Sequence, residues 1–461
     1  MYKKKSVFLV SRYTNDIYKF IVNQCYQDLL KKDKSKIEIE QIEQKKIPDI
    51  GFLIYCLLCL LRGDFFYKEK VVALEYEKIK FGKYLLSFTF RNYNSYLTNI
   101  NYFYTLCKNI YIVAKFFKTA DFYIKNYNFK YVYLDHVEYL NAVYYQKFIN
   151  SNKKIYTNRN PKGIIKTRKK NVEKLFEIKY KKILLSKSQK NKIIKKSKKI
   201  FSSLKNYLPW MYYTKYNLID NKDYKKYEYI IYAHSFTDSQ LEYEYDGFVN
   251  TLEWLVFTVD ELRKKKINFI IKAHPNFYLK SKIKGLKEIS EWDKKIYKKY
   301  IENISKDKNI LVINKPILNY DLVKKLDKNK CIVITKHGSV QLEMTFHNFK
   351  VITSRSNFID PKYNLTNMWS NRNGYKNLLK KNWSQLKFGK EESFCSAMLN
   401  LFLDDSMAYG KNFYMKILRN HMSKLKLVSK DSSYEKVVTK FNSLKNKDKV
   451  LKKIDFPIKE V

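Results

Sequence analysis

The chain alternates between short apolar runs and longer stretches in which apolar residues recur every three or four positions. Short runs rich in Val, Ile, Tyr and Phe predict buried β-strands, whereas the wider spacing predicts amphipathic helices. Alternation of the two patterns indicates a mostly parallel sheet covered by helices, so we predict an α/β fold. The predicted strands are residues 6–10, 71–75, 109–113, 131–135, 155–157, 229–233, 268–272, 310–313, 331–335 and 350–353.

Helical spacing fills much of the chain between these strands. Residues 162–205 are dense in lysine, with Ile, Leu and Phe at helical intervals, and predict a solvated helical connector, with an electrostatic contact surface as the alternative. We therefore expect an N-terminal domain of residues 1–205, a second domain of residues 206–400, and C-terminal helices with a partly disordered basic tail in residues 401–461. The predicted helices are residues 15–31, 49–61, 138–150, 247–265, 280–304, 320–326, 340–346 and 391–427.

Composition agrees with two folded domains. The 461 residues favour two domains over one, and a hydrophobic content of 45% excludes global disorder. The formal charge is +48, from 92 Lys and Arg against 44 Asp and Glu, an excess that is typical of proteins that bind nucleic acid or anionic membranes. Codon bias explains the charge equally well, because Lys, Asn, Ile and Tyr all have AT-rich codons and Lys greatly outnumbers Arg.

Cysteines and apolar runs bear on the cellular compartment. Cys56 and Cys59 are spaced as C-x-x-C, but Leu-Leu lies between them and no second pair follows, so the partners that a zinc or redox site needs are missing. The first apolar run is too short for a signal peptide, and the longest, residues 52–61, is about half of what a bilayer requires. We predict a cytoplasmic protein, with peripheral contact to the inner membrane through a basic face as an open possibility.

Polar and imidazole residues follow three predicted strands of the second domain. In an open α/β sheet, ligands bind where the carboxyl ends of strands meet the following turns. We therefore predict that these three strand ends form one phosphate-binding site, as in proteins that bind nucleotides. The candidate residues are His234, Asp238, Lys272, His274, Pro275, His337, Gly338, Ser339 and Glu343.

The third strand end carries the strongest signal. Gly338 permits unusual φ angles and close approach of the backbone to a ligand. Ser339 is positioned to cap the following helix, whose free N–H groups and dipole attract an anion. Glu343, one turn further on, is positioned to bind sugar hydroxyls or the region of Ser339. In the simpler alternative, Ser339 is only an N-cap and Glu343 lies on the surface.

The other strand ends offer weaker candidates. Pro275 sharply ends the hydrogen-bond ladder of its strand, which places His274 where it can donate a hydrogen bond to a phosphate or polarise a leaving group. In the alternative, His274 is only a structural histidine at the end of the strand. His234 and Asp238 either hold a substrate hydroxyl or form a capped turn.

In the first domain, Asp135 and His136 end a predicted strand and would face the second domain across a cleft. Either is a candidate general base for an acceptor hydroxyl. The candidate catalytic residues are Asp135, His136, His234 and Asp238.

These motifs resemble those of bacterial surface-polysaccharide glycosyltransferases with a GT-B fold, including capsule polysaccharide biosynthesis proteins related to the Kdo transferases. Their order is Tyr-Ala-His-Ser-Phe-Thr-Asp from residue 232, Glu-Trp-Leu from 253, Ile-Lys-Ala-His-Pro from 271 and His-Gly-Ser-x3-Glu from 337. Polysialyltransferases and teichoic-acid glycerophosphotransferases more distantly share a His-Pro motif and a Ser-containing motif. The resemblance is clearest over residues 229–360.

The resemblance implies two Rossmann-like domains that face a central cleft, with a helical C-terminal segment. It also implies that His274, Ser339 and Glu343 bind the nucleotide of a sugar donor. Residues 78–83 look like a segment near an Ile-Gly-Asp-like turn, although Lys83 replaces a small or acidic residue there. Residues 131–157 look like a strand-helix-strand unit that contacts the acceptor.

We therefore predict a metal-independent glycosyltransferase without a cofactor. No Asp-x-Asp lies at a strand end, and helix N-termini, histidines and lysines can stabilise a leaving nucleotide. The expected partners are a CMP-, UDP- or GDP-linked sugar and a growing capsule or lipopolysaccharide glycan or lipid-linked acceptor. A polyol-phosphate transferase that uses CDP-glycerol is one alternative. A basic nucleic-acid-binding protein is another, which we do not expect because the 41 tyrosines form no cluster.

Overall fold

The computed structural model describes most of the chain. The described residues are 7–11, 25–30, 37–135, 139–159, 163–169, 183–202, 224–237, 244–274, 284–301, 306–315, 317–357, 359–400 and 411–430, with shorter pieces elsewhere between residues 22 and 460. Three of the candidate residues, His136, Asp238 and Pro275, lie outside them.

Strands and helices alternate in both halves of the described chain. The strands are β1 (Val7–Val10), β2 (Glu38–Gln41), β3 (Tyr131–Leu134), β4 (Lys154–Arg159), β5 (Gly163–Thr167), β6 (Tyr229–Tyr232), β7 (Phe269–Lys272), β8 (Ile310–Ile313), β9 (Ile332–Thr335), β10 (Lys350–Ser354), β11 (Asn367–Trp369) and β12 (Lys459–Glu460). The helices are α1 (Ile50–Leu61), α2 (Lys68–Val72), α3 (Gly82–Thr89), α4 (Asn99–Asn126), α5 (Asn141–Asn150), α6 (Lys187–Phe201), α7 (Thr251–Lys264), α8 (Lys284–Ile301), α9 (Asn319–Leu322), α10 (Val340–Phe346), α11 (Arg372–Lys380), α12 (Glu391–Met398) and α13 (Lys411–Lys424). No helix in the described residues is long and apolar enough to cross a membrane.

The second sheet has the strand order of a Rossmann domain. Its strands lie in the order β11-β10-β9-β6-β7-β8, and every pair is parallel. Counted from β6 as the first strand, this is the order 3-2-1-4-5-6 of the doubly wound fold. The order reverses between β6 and β9, which are hydrogen-bonded neighbours. Ligands of such folds bind at this switch point, beyond the carboxyl ends of the strands.

The first sheet is also mostly parallel. Strands β2, β1, β3 and β4 pair in that order and in parallel, whereas β5 runs antiparallel to β4. The predicted α/β fold with two Rossmann-like domains is thus confirmed, and the architecture is GT-B-like. At the other end of the chain, β12 pairs with β5, and Leu418 and Met422 of α13 pack in a core with Phe8. Residues 459 and 460 of the predicted partly disordered tail thus form β12, whereas most of that tail lies outside the described residues.

Two predicted strands in the first domain are wrong. Residues 109–113 belong to the 28-residue helix α4, and most of residues 71–75 lie in or next to α2. The buried positions of α4 include Leu106, Asn109, Ile110, Val113 and Phe117, which recur at intervals of three and four. The short apolar run looked like a strand because the helical repeat becomes visible only over a longer window.

Contacts between the two domains pass through a short segment after α3. The Tyr96 hydroxyl donates a hydrogen bond to the carbonyl of Phe236, which follows β6. The Tyr300 hydroxyl of α8 donates to the Tyr96 carbonyl, and the Lys299 ammonium donates to the Leu97 carbonyl at 3.0 Å. One apolar core contains buried side chains from α1, α4, β6 and α7, so the domains share packing as well as hydrogen bonds.

Gly82 begins α3 at a position that leaves no room for a side chain. An added Cβ would lie 1.7 Å from the Val71 carbonyl oxygen and 3.0 Å from the Leu74 Cβ. We expect Gly82→Ala to lower the free energy of unfolding by about 3 kcal/mol or more, because the buried backbone must move to relieve this overlap. Chemical denaturation measures the loss. Gly374→Ala is the matched control, since its closest neighbour is the flexible Asn371 side chain at 3.3 Å, and a similar loss in both variants would contradict the packing argument.

Candidate functional site

Three histidines meet at the carboxyl edge of the second sheet. His234 follows β6, His274 follows β7, and His337 follows β9. The ring centroid of His234 lies 4.1 Å from that of His337 and 5.2 Å from that of His274. Strand β6 lies between β7 and β9 and runs parallel to both, so the three turns emerge side by side. The histidines therefore lie at the topological switch point.

A cleft opens beside these rings. Its apolar wall includes Phe201 at the end of α6, together with Ile317 and Leu318, which precede α9. Polar groups from the strand ends and α10 form the remainder, so the cleft combines an apolar wall with several convergent polar groups, as ligand sites usually do. The polar side chains that line it are His234, Lys272, His274, Asn319, Thr335, His337, Ser339 and Glu343.

Lys272 and Glu343 form the buried, charged part of the cleft. Their exposed fractions are 5% and 4%. Burial lowers the pKa of Lys272 to about 8, and the negative charge of Glu343 opposes this shift. Burial raises the pKa of Glu343 to about 7, although the Asn319 amide donates a hydrogen bond to the carboxylate at 2.8 Å. Near neutral pH, Lys272 therefore carries a positive charge while Glu343 is partly protonated.

His274 and His337 are neutral near pH 7. Burial, followed by the electrostatic effect of the neighbouring His234 ring, lowers the pKa of both side chains well below the ordinary value. A neutral imidazole has one N–H donor and one acceptor nitrogen. His234 Nδ1 lies 3.2 Å from the Ser235 carbonyl oxygen, which can only accept, and this contact favours a proton on Nδ1. Among the described residues, no three His, Cys, Asp or Glu side chains are arranged to hold a metal ion.

Gly338 and Ser339 form the turn between β9 and α10. Gly338 has a φ of +115°, a conformation that L side chains rarely adopt, and no atom lies within 4 Å of the position of an added Cβ. The predicted unusual φ is confirmed, and the turn faces open space. Ser339 already has helical angles, and its hydroxyl makes no capping hydrogen bond, so the prediction that it caps α10 is wrong. Ser339 nevertheless lines the cleft.

A buried aspartate fixes the loop that carries His234. Asp293 of α8 is fully buried and accepts hydrogen bonds from the Ser235 hydroxyl at 2.7 Å and from the Phe236 N–H at 2.9 Å. It also accepts from the Thr237 N–H at 3.1 Å and the Thr237 hydroxyl at 2.9 Å. Since Tyr96 binds the carbonyl of the same loop from the first domain, the turn after β6 is held from two sides.

A buried ion pair holds the turn after β9. The Lys336 ammonium lies 2.6 and 2.7 Å from the two carboxylate oxygens of Asp246, and both side chains are at most 4% exposed. The pair satisfies two charges that would otherwise be costly to bury. It ties the residue before His337 to the loop that leads into α7.

Asp135 lies in a different pocket. It is buried at the end of β3, where its N–H donates to the Ser11 hydroxyl at 2.9 Å. This pocket also contains Gln44, Asn141 and Tyr144, and it shares no lining residue with the histidine cleft. The structure therefore brings seven candidate residues together but does not bring Asp135 to them: His234, Lys272, His274, His337, Gly338, Ser339 and Glu343 line the cleft, and Asp135 does not.

Asn319 is the eighth member of this group, and sequence reasoning did not single it out. It begins α9, one residue before the predicted helix of residues 320–326, and no signal in the sequence connects it with Glu343. Phe201 was missed as well, because residues 162–205 were interpreted as a solvated connector. Ile193, Ser197 and Phe201 are the buried positions of α6 and recur every four residues, which is the signal of a helix with one packed side.

Glu343 should make stability depend on pH. Its pKa in the folded protein, about 7, lies above its ordinary value of 4.5, so folding favours the protonated form. This contribution to stability is complete below about pH 4.5 and is lost as the pH rises through about 7, a loss of about 3 kcal/mol. We expect Glu343→Gln to flatten this part of the profile in denaturation experiments from pH 4.5 to 8. Glu391→Gln, at an exposed position, is the control, and a wild-type slope in Glu343→Gln would contradict the burial argument.

Comparison with known proteins yields weak similarities. No protein-family model matches the chain, and no curated protein matches it by sequence. Among solved structures, KpsC from Thermosulfurimonas dismutans, a β-Kdo 2,4 transferase, is 11% identical with a TM-score of 0.33. The aligned region covers 59% of this chain and 80% of the KpsC chain. A UDP-GlcNAc 2-epimerase from Methanocaldococcus jannaschii is 12% identical, with a TM-score of 0.26 and coverage of 86% and 98%. An α,α-trehalose-phosphate synthase (UDP-forming) from Burkholderia vietnamiensis is 8% identical, with a TM-score of 0.29 and coverage of 94% and 99%. The fold assignment accordingly rests on the strand order and pairing of this chain.

Proposed function

We propose that this chain is a glycosyltransferase that transfers a sugar from a nucleotide-sugar donor to a growing capsule or lipopolysaccharide glycan. One observation carries the proposal: three histidines and a buried lysine converge at the switch point of a Rossmann-type sheet. That position is where doubly wound domains bind nucleotides. The resemblance of the same motifs to those of surface-polysaccharide glycosyltransferases supports this assignment.

The cleft has the groups needed to stabilise a departing nucleotide. Neutral His274 and the Ser339 hydroxyl can donate hydrogen bonds to phosphate oxygens, and Lys272 carries a positive charge below about pH 8. When the bond between the sugar and the phosphate breaks, negative charge grows on the phosphate. Preorganised donors in a site with little water stabilise such charge strongly. Phe201 and Leu318 offer an apolar surface for the base or the sugar.

The acceptor half of the reaction belongs, in this proposal, to the pocket at the carboxyl edge of the first sheet. An acceptor hydroxyl would attack the anomeric carbon and lose its proton to a general base. Asp135 is the candidate in that pocket, and His234 is the candidate in the cleft. Because these residues line separate pockets, only one of them can act on the hydroxyl in the arrangement described here, and variants of each distinguish the two.

A donor panel tests the proposed function. Purified protein is incubated with CMP-, UDP- and GDP-linked sugars and with CDP-glycerol, each with and without a capsule or lipopolysaccharide acceptor, and released nucleotide is measured. We expect acceptor-dependent release from a sugar nucleotide. Release from CDP-glycerol alone would establish a polyol-phosphate transferase instead. No release from any donor, together with steeply salt-dependent binding of RNA or DNA, would favour a nucleic-acid-binding protein.

A further inference from the structure

One side of the first domain exposes an apolar surface. Helix α1 contains no charged residue, and only one of its sides packs inward, through Phe52, Cys56 and Cys59. The opposite side points to solvent. Its aliphatic side chains are Ile50, Ile54, Leu57, Leu58 and Leu61, with exposed fractions between 51% and 75%.

Helix α4 extends this surface. The Asp49 N–H donates to the Ala114 carbonyl at 3.0 Å at one end of α1, and the Phe66 and Phe103 rings stack at 6.1 Å beyond its other end, so the two helices lie side by side and antiparallel. Ile100 and Tyr104 of α4 are 81% and 70% exposed. We call the exposed side of α1 together with the first half of α4 the α1/α4 face. Its apolar side chains lie next to one another, whereas ordinary protein surfaces expose apolar residues singly.

Positive charge surrounds the α1/α4 face. Lys46 precedes α1 and is exposed, and Lys108 and Lys118 are exposed along α4. Two nearby carboxylates are engaged within the protein: Asp49 caps α1 through the Phe52 N–H, and Asp64 forms ion pairs with Arg62 and Lys70. Along α4 the only acidic residue is Asp121, which pairs with Lys147. The rim of the face therefore has an excess of positive charge.

We propose that the α1/α4 face docks on an anionic lipid bilayer. Leucine and isoleucine side chains on a helix that lies flat can enter the boundary between headgroups and acyl chains, while lysines around them attract anionic headgroups. Exposed tyrosines such as Tyr104 suit the same interfacial depth. A second copy of this chain fits less well, because a symmetric contact would bring two lysine-rich rims together. The proposal is independent of the catalytic assignment, since no residue of the face lines the histidine cleft.

Vesicle flotation tests this proposal on the full chain. The double variant Leu57→Gln/Leu61→Gln removes apolar side chains that are already exposed, so the fold should be preserved, and circular dichroism with thermal unfolding checks this. Leu184→Gln is the matched control, because Leu184 is 87% exposed and lies outside the face. With vesicles of mixed phosphatidylglycerol and phosphatidylcholine, we expect the double variant to bind roughly tenfold or more weakly than the wild type, and the control to bind as the wild type does. Pure phosphatidylcholine or high salt should weaken binding of the wild type.

Cys107 provides a second readout on the same face. It is exposed on α4, whereas the other five cysteines are buried, so an environment-sensitive fluorophore can be attached to it selectively. Anionic vesicles should shift its emission to the blue. Wild-type binding by the double variant, or no binding to anionic vesicles, would overturn the proposal. A blue shift that depends on protein concentration without vesicles, with a doubled mass in sedimentation, would instead identify an interface between two copies.

Discussion

We expect His274→Ala to reduce donor-dependent release of nucleotide by about 100- to 1,000-fold, the usual cost of removing one preorganised donor to a developing negative charge. His274 lines the cleft beside His234 and is neutral near pH 7, so it can donate a hydrogen bond without a charge of its own. Ser339→Ala removes a second side-chain donor that lines the same cleft and should also reduce release of nucleotide. Steady-state kinetics with the donor identified by the panel measures both effects.

The control for this prediction is His421→Ala. His421 lies on α13, which packs with the first sheet, and it does not line the cleft. Its substitution should leave release of nucleotide within about twofold of the wild-type rate, because this half-buried side chain lies outside the cleft. Full activity in both His274→Ala and Ser339→Ala would mean that the donor binds elsewhere.

The second large effect concerns Asp293, which positions the loop after β6. Asp293→Ala removes the carboxylate that accepts four hydrogen bonds. The buried N–H groups of Phe236 and Thr237 then lose this acceptor. Each buried donor that loses its partner costs about 1–3 kcal/mol, so we expect the free energy of unfolding to fall by about 3–5 kcal/mol. Because His234 precedes this loop, the donor KM should also rise at temperatures where the variant remains folded.

Asp293→Asn distinguishes positioning from charge. An asparagine keeps one carbonyl oxygen for the Phe236 and Thr237 donors, so we expect a smaller loss of stability and partial recovery of KM. Glu291→Ala, two residues away and exposed on the same helix, should change neither quantity. If Asp293→Ala unfolds at the wild-type denaturant concentration, the loop does not depend on this carboxylate.

Much of the second domain could be predicted from its sequence. Strands β6, β7 and β9 consist mainly of Tyr, Ile, Phe and Val, which is typical of strands buried on both faces of a parallel sheet. Because parallel strands end at the same edge, the residues after them could be predicted to lie close together. Their spacing in the chain does not show which strands are neighbours, so the contact between His234 and His337 became visible only with the strand order.

The first domain and the supporting residues were harder to predict. Residues 109–113 have the composition of a strand but lie within α4, where packing along the whole helix outweighs local preference. Asp293 and Asp246 occur in polar stretches without a motif, and their importance comes from partners that are distant in sequence. Ser339 has the residue type of an N-cap, but its backbone is already helical, so its hydroxyl cannot be assigned to capping by type alone.

Hydrogen–deuterium exchange with and without a saturating nucleotide tests the central claim most directly, because it locates the bound nucleotide without requiring the acceptor. CMP, CDP, UDP and GDP are compared on the full chain, and His274→Ala serves as the control for specific binding. We predict that one nucleotide slows exchange in peptides covering residues 233–237, 272–274 and 335–343, and that the effect is lost in His274→Ala. Protection confined to the Asp135 pocket, or equal protection in His274→Ala, would contradict a nucleotide site at the switch point of the second sheet.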